Sequence, residues 1–227
     1  MKILLTNDDG IDAEGLECLQ QSVGGELYVV APADHVSECG HRITTRTSLK
    51  LEQRGERRWA VHGSPADCVR VAVKHLYSSI TFDWVLSGVN QGGNLGIDLY
   101  YSGTAAAARE AAIFGIRSIA FSHYIRREID LDWQHAGRRV QRVWKALGEI
   151  LLEPGRFWNV NLPHLEAGIP EPELRFCEPC KHPLPVVYTG DEGEAVYSGR
   201  YPDRQKTKGS DTDLCFGGAI TVSQISI

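Results

Sequence analysis

Four runs of nearly unbroken apolar residues punctuate the first half of the chain: Lys2-Ile3-Leu4-Leu5-Thr6, Glu26-Leu27-Tyr28-Val29-Val30-Ala31, Asp83-Trp84-Val85-Leu86-Ser87-Gly88 and Arg117-Ser118-Ile119-Ala120-Phe121-Ser122. Runs without polar alternation suit strands covered on both faces. Helical patterns lie between them. Leu16, Leu19 and Val23 share one face after the first run, and the stretches Ser64 to Tyr77, Thr104 to Phe114 and Leu131 to Leu152 follow. In the last of these Ala136, Val140, Val143, Leu147 and Leu151 step by three and four. Strand and helix therefore alternate over the first part of the chain, which predicts an α/β fold: a mostly parallel sheet flanked by helices, with right-handed crossovers. Ligands of such sheets gather beyond the carboxyl ends of the strands, so the loops there are where chemistry is sought.

Two regions break the alternation. Ile43 to Val61, with Arg54-Gly55-Glu56 at its centre, reads as a β-hairpin spanning about 43–62. Beyond Pro163 lie six of the ten prolines and short β-prone runs such as Pro185-Val186-Val187-Tyr188 and Ala219-Ile220-Thr221-Val222. The expected organisation is a core over residues 1–165 and a β-rich hairpin or arm region over 166–227 of the same domain, laid against the core or a neighbouring subunit. With 227 residues and 42% hydrophobic content the chain has material for one sizeable core, which excludes whole-chain disorder. The formal charge of -5, without a long basic run, argues against a nucleic-acid polymer as partner. The apolar N-terminal run is too short for a signal peptide and nothing reaches membrane-spanning length, so the expectation is a cytoplasmic protein with no membrane partner. Six scattered cysteines need no disulfide framework. Cys177-Glu178-Pro179-Cys180 lacks the second pair of ligands that a zinc site of this type requires.

Three loops carry chemistry. Asn7-Asp8-Asp9-Gly10 follows the first strand, and two adjacent carboxylates repel each other unless a cation intervenes; the alternative is a helix N-cap with a solvated neighbour. Ser87-Gly88-Val89-Asn90-Gln91-Gly92-Gly93-Asn94-Leu95-Gly96 follows another strand. Its glycines allow close backbone approach, and Asn90 and Asn94 offer carbonyl oxygens to a metal or amides to a phosphate; the alternative is a long turn that needs glycine for its geometry. Tyr101-Ser102-Gly103-Thr104 opens an alanine-rich helix whose free N–H groups suit an anion, unless Ser102 or Thr104 simply caps it. Gly63-Ser64-Pro65-Ala66-Asp67 reads as a structural cap, with Ser at the N-cap, Pro in the first helical position and Asp in the third.

Taken in this order the loops resemble the SurE family of survival-protein nucleotidases. The resemblance extends through Val29-Val30-Ala31-Pro32 with Ser37 and Thr44, Gly63-Ser64-Pro65-Ala66-Asp67-Cys68-Val69, Asn159-Val160-Asn161-Leu162-Pro163 and Gly209-Ser210-Asp211-Thr212-Asp213. It implies a Rossmann-like core with a C-terminal hairpin exchanged between subunits, hence a homodimer or homotetramer through the C-terminal arm. It also implies one divalent cation per subunit, Mg2+ or Mn2+, held by Asp8, Asp9, Ser37 and Asn90, with Asn94, Ser102, Gly103 and Thr104 near the phosphate. This chain departs from the family where Ser37 precedes Glu38, Cys39 and Gly40 rather than a glycine, and where His41-Arg42 stand at positions that are commonly small or polar. His41 could protonate a leaving alkoxide or cap a turn.

The expected activity is metal-dependent hydrolysis of nucleoside 5'-monophosphates, with 3'-monophosphates as the further candidate, to nucleoside and phosphate. Asp8 and Asp9 are the catalytic carboxylates, and Asp9 is the candidate acceptor of the water's proton. Three readings compete: attack by Asp8 through an aspartyl phosphate, a nucleotide-binding protein without turnover, and a receiver-type signalling domain. The last needs an acceptor Asp after the third parallel strand, where this chain has Ser87-Gly88-Val89-Asn90.

Overall fold

The computed structural model describes residues 1–36, 39–166 and 168–227. Its strands are β1 (Lys2–Thr6), β2 (Glu26–Pro32), β3 (Leu51–Gly55), β4 (Arg58–Val61), β5 (Trp84–Gln91), β6 (Arg117–His123), β7 (Arg156–Leu162), β8 (Leu174–Phe176), β9 (Tyr188–Thr189), β10 (Val196–Tyr197) and β11 (Ile220–Ser226). The helices are α1 (Glu14–Ser22), α2 (Pro65–Val71), α3 (Gly103–Ile113), α4 (Trp133–Leu147) and α5 (Asp211–Phe216). α2 continues into a π-helical turn over Ala72–Leu76. Nine strands form one sheet in the order β3-β4-β2-β1-β5-β6-β7-β11-β8, and β9 with β10 makes a separate antiparallel pair. From β4 to β7 the pairing is parallel; β3 and β11 run antiparallel to their inner neighbours. The fold class expected from strand and helix alternation is what the chain adopts.

The uniform apolar runs are explained by cover on both faces. Ile3 and Leu5 pack with Leu16 and Leu19 of α1 and with Val140 and Val143 of α4. Leu4, Val30 and Val85 pack on the other face with Cys68 and Val69 of α2 and Ala107 and Ala111 of α3. Because successive side chains of a strand alternate between faces, a single strand feeds both cores. Small side chains on α3, with Ala105 to Ala108 fully buried, let that helix lie close against β5 and β6.

α1 and α4 share one face, while α2 and α3 share the other. β5-α3-β6 and β6-α4-β7 step the same way across the sheet with helices on opposite faces, so these two crossovers differ in hand. A uniform right-handed expectation therefore fails at one connection. The hairpin is also shorter than its sequence suggests: its strands are β3 and β4, and the described residues 43–50 form no strand. α4 ends at Leu147, short of Leu152, at Gly148, the residue of its C-cap. β7 ends just before Pro163, where the sequence changes character, and β11 pairs with it along six positions, so the C-terminal segment adds to the main sheet. Among the described residues no helix is long and apolar enough to cross a membrane.

β1 has β2 on one side and β5 on the other, and the chain leaves β1 towards α1 on one face and β5 towards α3 on the opposite face. The loops beyond β1 and β5 therefore diverge, opening a crevice at the topological switch of the sheet.

Candidate active site

Asp8 sits in this crevice with only 5% of its surface exposed. Its seat is the first turn of α3. The Thr104 hydroxyl donates to Asp8 Oδ1 at 2.5 Å. Gly103 has no side chain, which is what allows the approach: a Cβ there would stand 2.8 Å from Asp8 Cβ and 3.1 Å from Cys39 Sγ. Burial pushes the Asp8 carboxyl up to about 6. The hydroxyl and backbone N–H of Thr104 pull against that shift, and the neighbouring Asp9 adds to it. No cationic side chain of the described residues pairs with Asp8, and a buried carboxylate without one is short of positive charge.

Asp9 lies closer to solvent, with its side chain 16% exposed. His35 Nδ1 is 3.3 Å from its Oδ1, and the Gln91 backbone N–H donates to Oδ2 at 3.3 Å. Its pKa is raised by burial, against the pull of the Gln91 N–H and of His35. The Gln91 bond joins the loop after β1 to the end of β5. β5 runs on to Gln91 where the sequence suggested a loop from Ser87, because one extra residue bulges between Ser87 and Asn90 against β6. Gly88 makes the bulge possible: its φ is +132°, and a Cβ would lie 2.2 Å from the Phe121 carbonyl oxygen. The bulge carries Asn90 to the crevice. There Asn90 Nδ2 donates to the Gly92 carbonyl at 2.8 Å, which leaves the amide oxygen as the atom available to a cation.

Asn94 is held from below. Its N–H donates to Asn161 Oδ1 at 2.8 Å, and its carbonyl accepts from Asn159 Nδ2 at 2.9 Å and Asn161 Nδ2 at 3.0 Å. Asn159 and Asn161 alternate along β7, so both reach the same side. The Asn94 side chain donates to Ser122 Oγ at 2.7 Å. Ser102 caps α3, its hydroxyl oxygen accepting from the Ala105 N–H at 3.0 Å. Of the group expected near a phosphate, then, Ser102 and Thr104 spend hydroxyl bonds inside the protein, while Gly103 supplies the close approach. Thr104 and Gly103 touch Asp8 directly, whereas the bonds of Asn94 run to β6 and β7.

Ser37, expected among the metal ligands, lies outside the described residues, as does Glu38. Their described neighbours are tethered: Val36 N–H donates to the Asp8 carbonyl at 2.8 Å, and Gly40 N–H to the Tyr101 carbonyl at 3.0 Å. Further along, Thr44 binds Asp67 through both its N–H, at 2.7 Å, and its hydroxyl, at 2.8 Å. Asp67 and Ser64 form the capping box expected for α2. His41 is committed elsewhere. Its Nδ1 accepts from Arg109 at 3.4 Å, so Nε2 carries the proton donated to Glu110 Oε2 at 2.7 Å. Burial opposes the Glu110 charge, but the bonds from His41 and Arg70 outweigh it and hold its pKa below the usual range. Cys177 and Cys180 are both free.

A second layer was not singled out by sequence reasoning. Asp98 Oδ2 accepts from the Leu95 N–H at 3.0 Å, from the Tyr201 hydroxyl at 2.6 Å and from Arg204 Nη1 at 2.7 Å. Arg204 Nη2 also donates to the Leu95 carbonyl at 3.0 Å. Asp211 accepts from the Gly96 N–H at 2.6 Å and the Cys180 N–H at 2.8 Å. The C-terminal segment thus clamps the turn that follows Asn94. Only Asp211 had a sequence signal, as part of the Gly209-to-Asp213 motif.

The donors around the crevice are two carboxylates, an asparagine amide oxygen and, from sequence, a serine hydroxyl. Among the described residues no group of three or more His, Cys, Asp or Glu could hold a metal ion, so any cation here relies on this mixed oxygen set. That chemistry fits a hard divalent ion, and the raised Asp8 and Asp9 mark where its charge is wanted.

Known proteins resemble this chain at several distances. A protein of Nostoc sp. strain PCC 7120 is 48% identical over 228 residues, covering 100% of both chains. The protein named 5'-nucleotidase SurE of Rhodospirillum rubrum is 37% identical over 250 residues, covering 100% of this chain and 90% of its own. The crystal structure of the SurE protein from Aquifex aeolicus superposes with a TM-score of 0.87 at 29% identity, covering 100% of this chain and 93% of that one. The family model described as survival protein SurE matches residues 3–183, most of the crevice-forming chain, and this chain belongs to that family.

Proposed function

We propose that this protein is a divalent-metal-dependent phosphomonoesterase that hydrolyses nucleoside 5'-monophosphates by attack of water, with 3'-monophosphates as an open candidate substrate. The observation that carries the reading is the pair Asp8 and Asp9 at the sheet's switch point, the first buried on the α3 N-terminus and the second tied to β5 through Gln91. Relatives that bear the name 5'-nucleotidase support it.

Asp8, Asp9, Asn90 and Ser37 would hold Mg2+ or Mn2+, which when bound neutralises phosphate charge and acts as a Lewis acid on a phosphate oxygen. The chain's own residues do the rest. Thr104 fixes the orientation of the Asp8 carboxylate. The N-terminus of α3 would receive the phosphoryl oxygens, since a helix end favours negative charge, with Asn94 positioning the loop beside it through its bonds to Asn161 and Ser122. Asp9, the more solvent-accessible carboxylate of the two, accepts the proton of the attacking water. As the water oxygen bonds to phosphorus, the ester P–O bond breaks and the nucleoside leaves with a proton from solvent.

The subunits pair through the C-terminal arm. Val186, Val187, Tyr188, Val196 and Tyr197 around the β9-β10 pair are all exposed, and a second copy of the chain is the partner that would cover them. Phosphate release from nucleoside monophosphates, measured with Mg2+, Mn2+ or a chelator, tests the activity. Release with metal that stops with chelator is expected. Release undiminished by chelator, or none with any metal, rejects the reading, and nucleotide binding without release would identify an inactive binder.

A further inference from the structure

Between β2 and β3 the chain passes beside the aspartates. Val36 N–H donates to the Asp8 carbonyl at 2.8 Å, and His35 Nδ1 lies 3.3 Å from Asp9 Oδ1. A Cβ on Gly103 would stand 3.0 Å from Asp8 Oδ2 and 3.1 Å from Cys39 Sγ, so Asp8, Gly103 and Cys39 wall one small space. Among its described residues this stretch has no strand or helix before Leu51, and a backbone without a ladder of its own depends on other partners to hold it in place. Gly40 N–H donates to the Tyr101 carbonyl at 3.0 Å, and the Ser64 hydroxyl to the Arg42 carbonyl at 2.5 Å. Thr44 adds its two bonds to Asp67.

One further anchor ties the stretch to the helix that seats Asp8. His41 Nε2 donates to Glu110 Oε2 at 2.7 Å, and Arg70 Nη1 donates to Glu110 Oε1 at 2.8 Å. Both oxygens of a carboxylate whose side chain is 3% exposed are thus engaged, and bonds to a charged acceptor are the stronger kind. Arg109 closes the arrangement from the other side of the ring, with Nη1 3.4 Å from His41 Nδ1 and Nη2 donating to the Leu99 carbonyl at 2.8 Å. Glu110 and Thr104 belong to the same helix, and Ala105 to Ala108 between them are fully buried. α3 therefore acts as a fixed spacer, holding Asp8 at its first turn and His41 further along.

We propose that His41 and Glu110 are positioning residues of the cation site: their bond fixes the loop after β2 relative to Asp8 before the cation arrives. The inference rests on the reading of Asp8, Asp9, Asn90 and Ser37 as the ligands, and neither His41 nor Glu110 is one of them. Partners behind metal ligands raise affinity because less order remains to be created on binding, and their loss typically costs about 10- to 100-fold.

Calorimetry with Mn2+ alone, in the absence of any phosphate ester, tests this on the full chain. His41→Ala and Glu110→Met should each weaken Mn2+ binding by about tenfold, the lower end of that range. The double variant should bind no more weakly than the poorer single one, because the same bond is already lost in each. His41→Gln, whose amide can donate in place of Nε2, should restore most of the affinity. Hydrogen exchange separates positioning from general loss of stability: in His41→Ala the Gly40 amide should exchange faster while the amides of β1 and β2 keep their protection. Unchanged Mn2+ affinity in His41→Ala overturns the inference and leaves the cation reading in place. Losses that multiply in the double variant, or faster exchange throughout the sheet, overturn it as well. No Mn2+ binding by the wild-type protein overturns the cation reading itself, and this inference with it.

Discussion

Two buried aspartates show how differently this fold treats negative charge. Asp8 and Asp98 are almost equally hidden, 5% and 7% exposed. Asp98 is answered within the chain: Arg204, Tyr201 and the Leu95 N–H converge on one of its oxygens. Burial works against the Arg204 charge, yet Asp98 and Tyr201 outweigh it and hold its pKa above the ordinary value. Among the described residues Asp8 receives the Thr104 hydroxyl and backbone N–H groups, all neutral, and burial raises its pKa to about 6. A charge paired inside the protein holds structure. One left without a cation at the mouth of a sheet's switch point is prepared for something that arrives from outside.

The sharpest way to break this contrast is Asp8→Asn, which keeps the shape and removes the charge. Turnover should fall by about 10³-fold or more, the scale of losing a group that stabilises transition-state charge. Metal-free stability should move the other way. Between pH 3.8 and about 6 the folded protein holds more protons on Asp8 than the unfolded chain does, so stability falls as pH rises through that window and stays lower above it. The lost stability corresponds to about 3 kcal/mol. Asn does not titrate, so thermal melting of the metal-free variant should depend less steeply on pH over that window, with Asp9 and Asp211, both raised as well, among the groups that still contribute. Full turnover by Asp8→Asn at saturating metal would end the comparison.

Arg204→Met attacks the other member. It leaves the Asp98 carboxylate buried without its cation, which costs about 3–5 kcal/mol, while the double variant Asp98→Asn with Arg204→Met should recover much of the loss because neither charge remains. Denaturant titration of the three variants measures this. If Arg204→Met alone unfolds no more readily than the wild type, the clamp on the Asn94 turn is not held by this pair.

The two aspartates also differed in how readable they were. Asp8 stands in an acidic pair directly after an apolar strand, and the periodicity of the first half placed that strand end at a functional edge. Asp98 sits in Gly96-Ile97-Asp98-Leu99-Tyr100, a sequence without a pattern, and its partner is more than a hundred positions away. No local rule joins Asp98 to Arg204, since the pairing is made by the C-terminal segment returning over the sheet. For the same reason β11 was visible only as a short β-prone run, and its neighbour β7 only through the Asn159-to-Pro163 segment of the family resemblance. The bulge at Gly88 lay in plain view as a glycine after a strand, but whether it ended the strand or bent it depends on the Phe121 carbonyl across the ladder.

Thr104→Val probes the weakest element of the contrast, the neutral donor that takes the place of an arginine beside Asp8. The substitution keeps the branched shape and deletes one hydroxyl hydrogen bond, worth about 1 kcal/mol. Because that bond favours the charged carboxyl, its loss should raise the Asp8 pKa further. The metal competes with that proton, so apparent Mg2+ or Mn2+ affinity near neutral pH should drop by several-fold, and the pH at which metal activates should shift upward. At saturating metal and higher pH the carboxylate is charged again, and kcat should return to within about threefold of the wild type, since one neutral bond is small beside the ion's own interaction with the carboxylate. Thr104→Ser, which restores the hydroxyl, should return the affinity as well. A Thr104→Val loss that persists at saturating metal and high pH would mean the hydroxyl acts on the phosphate itself, and Asp8 would then owe its orientation to the helix terminus alone.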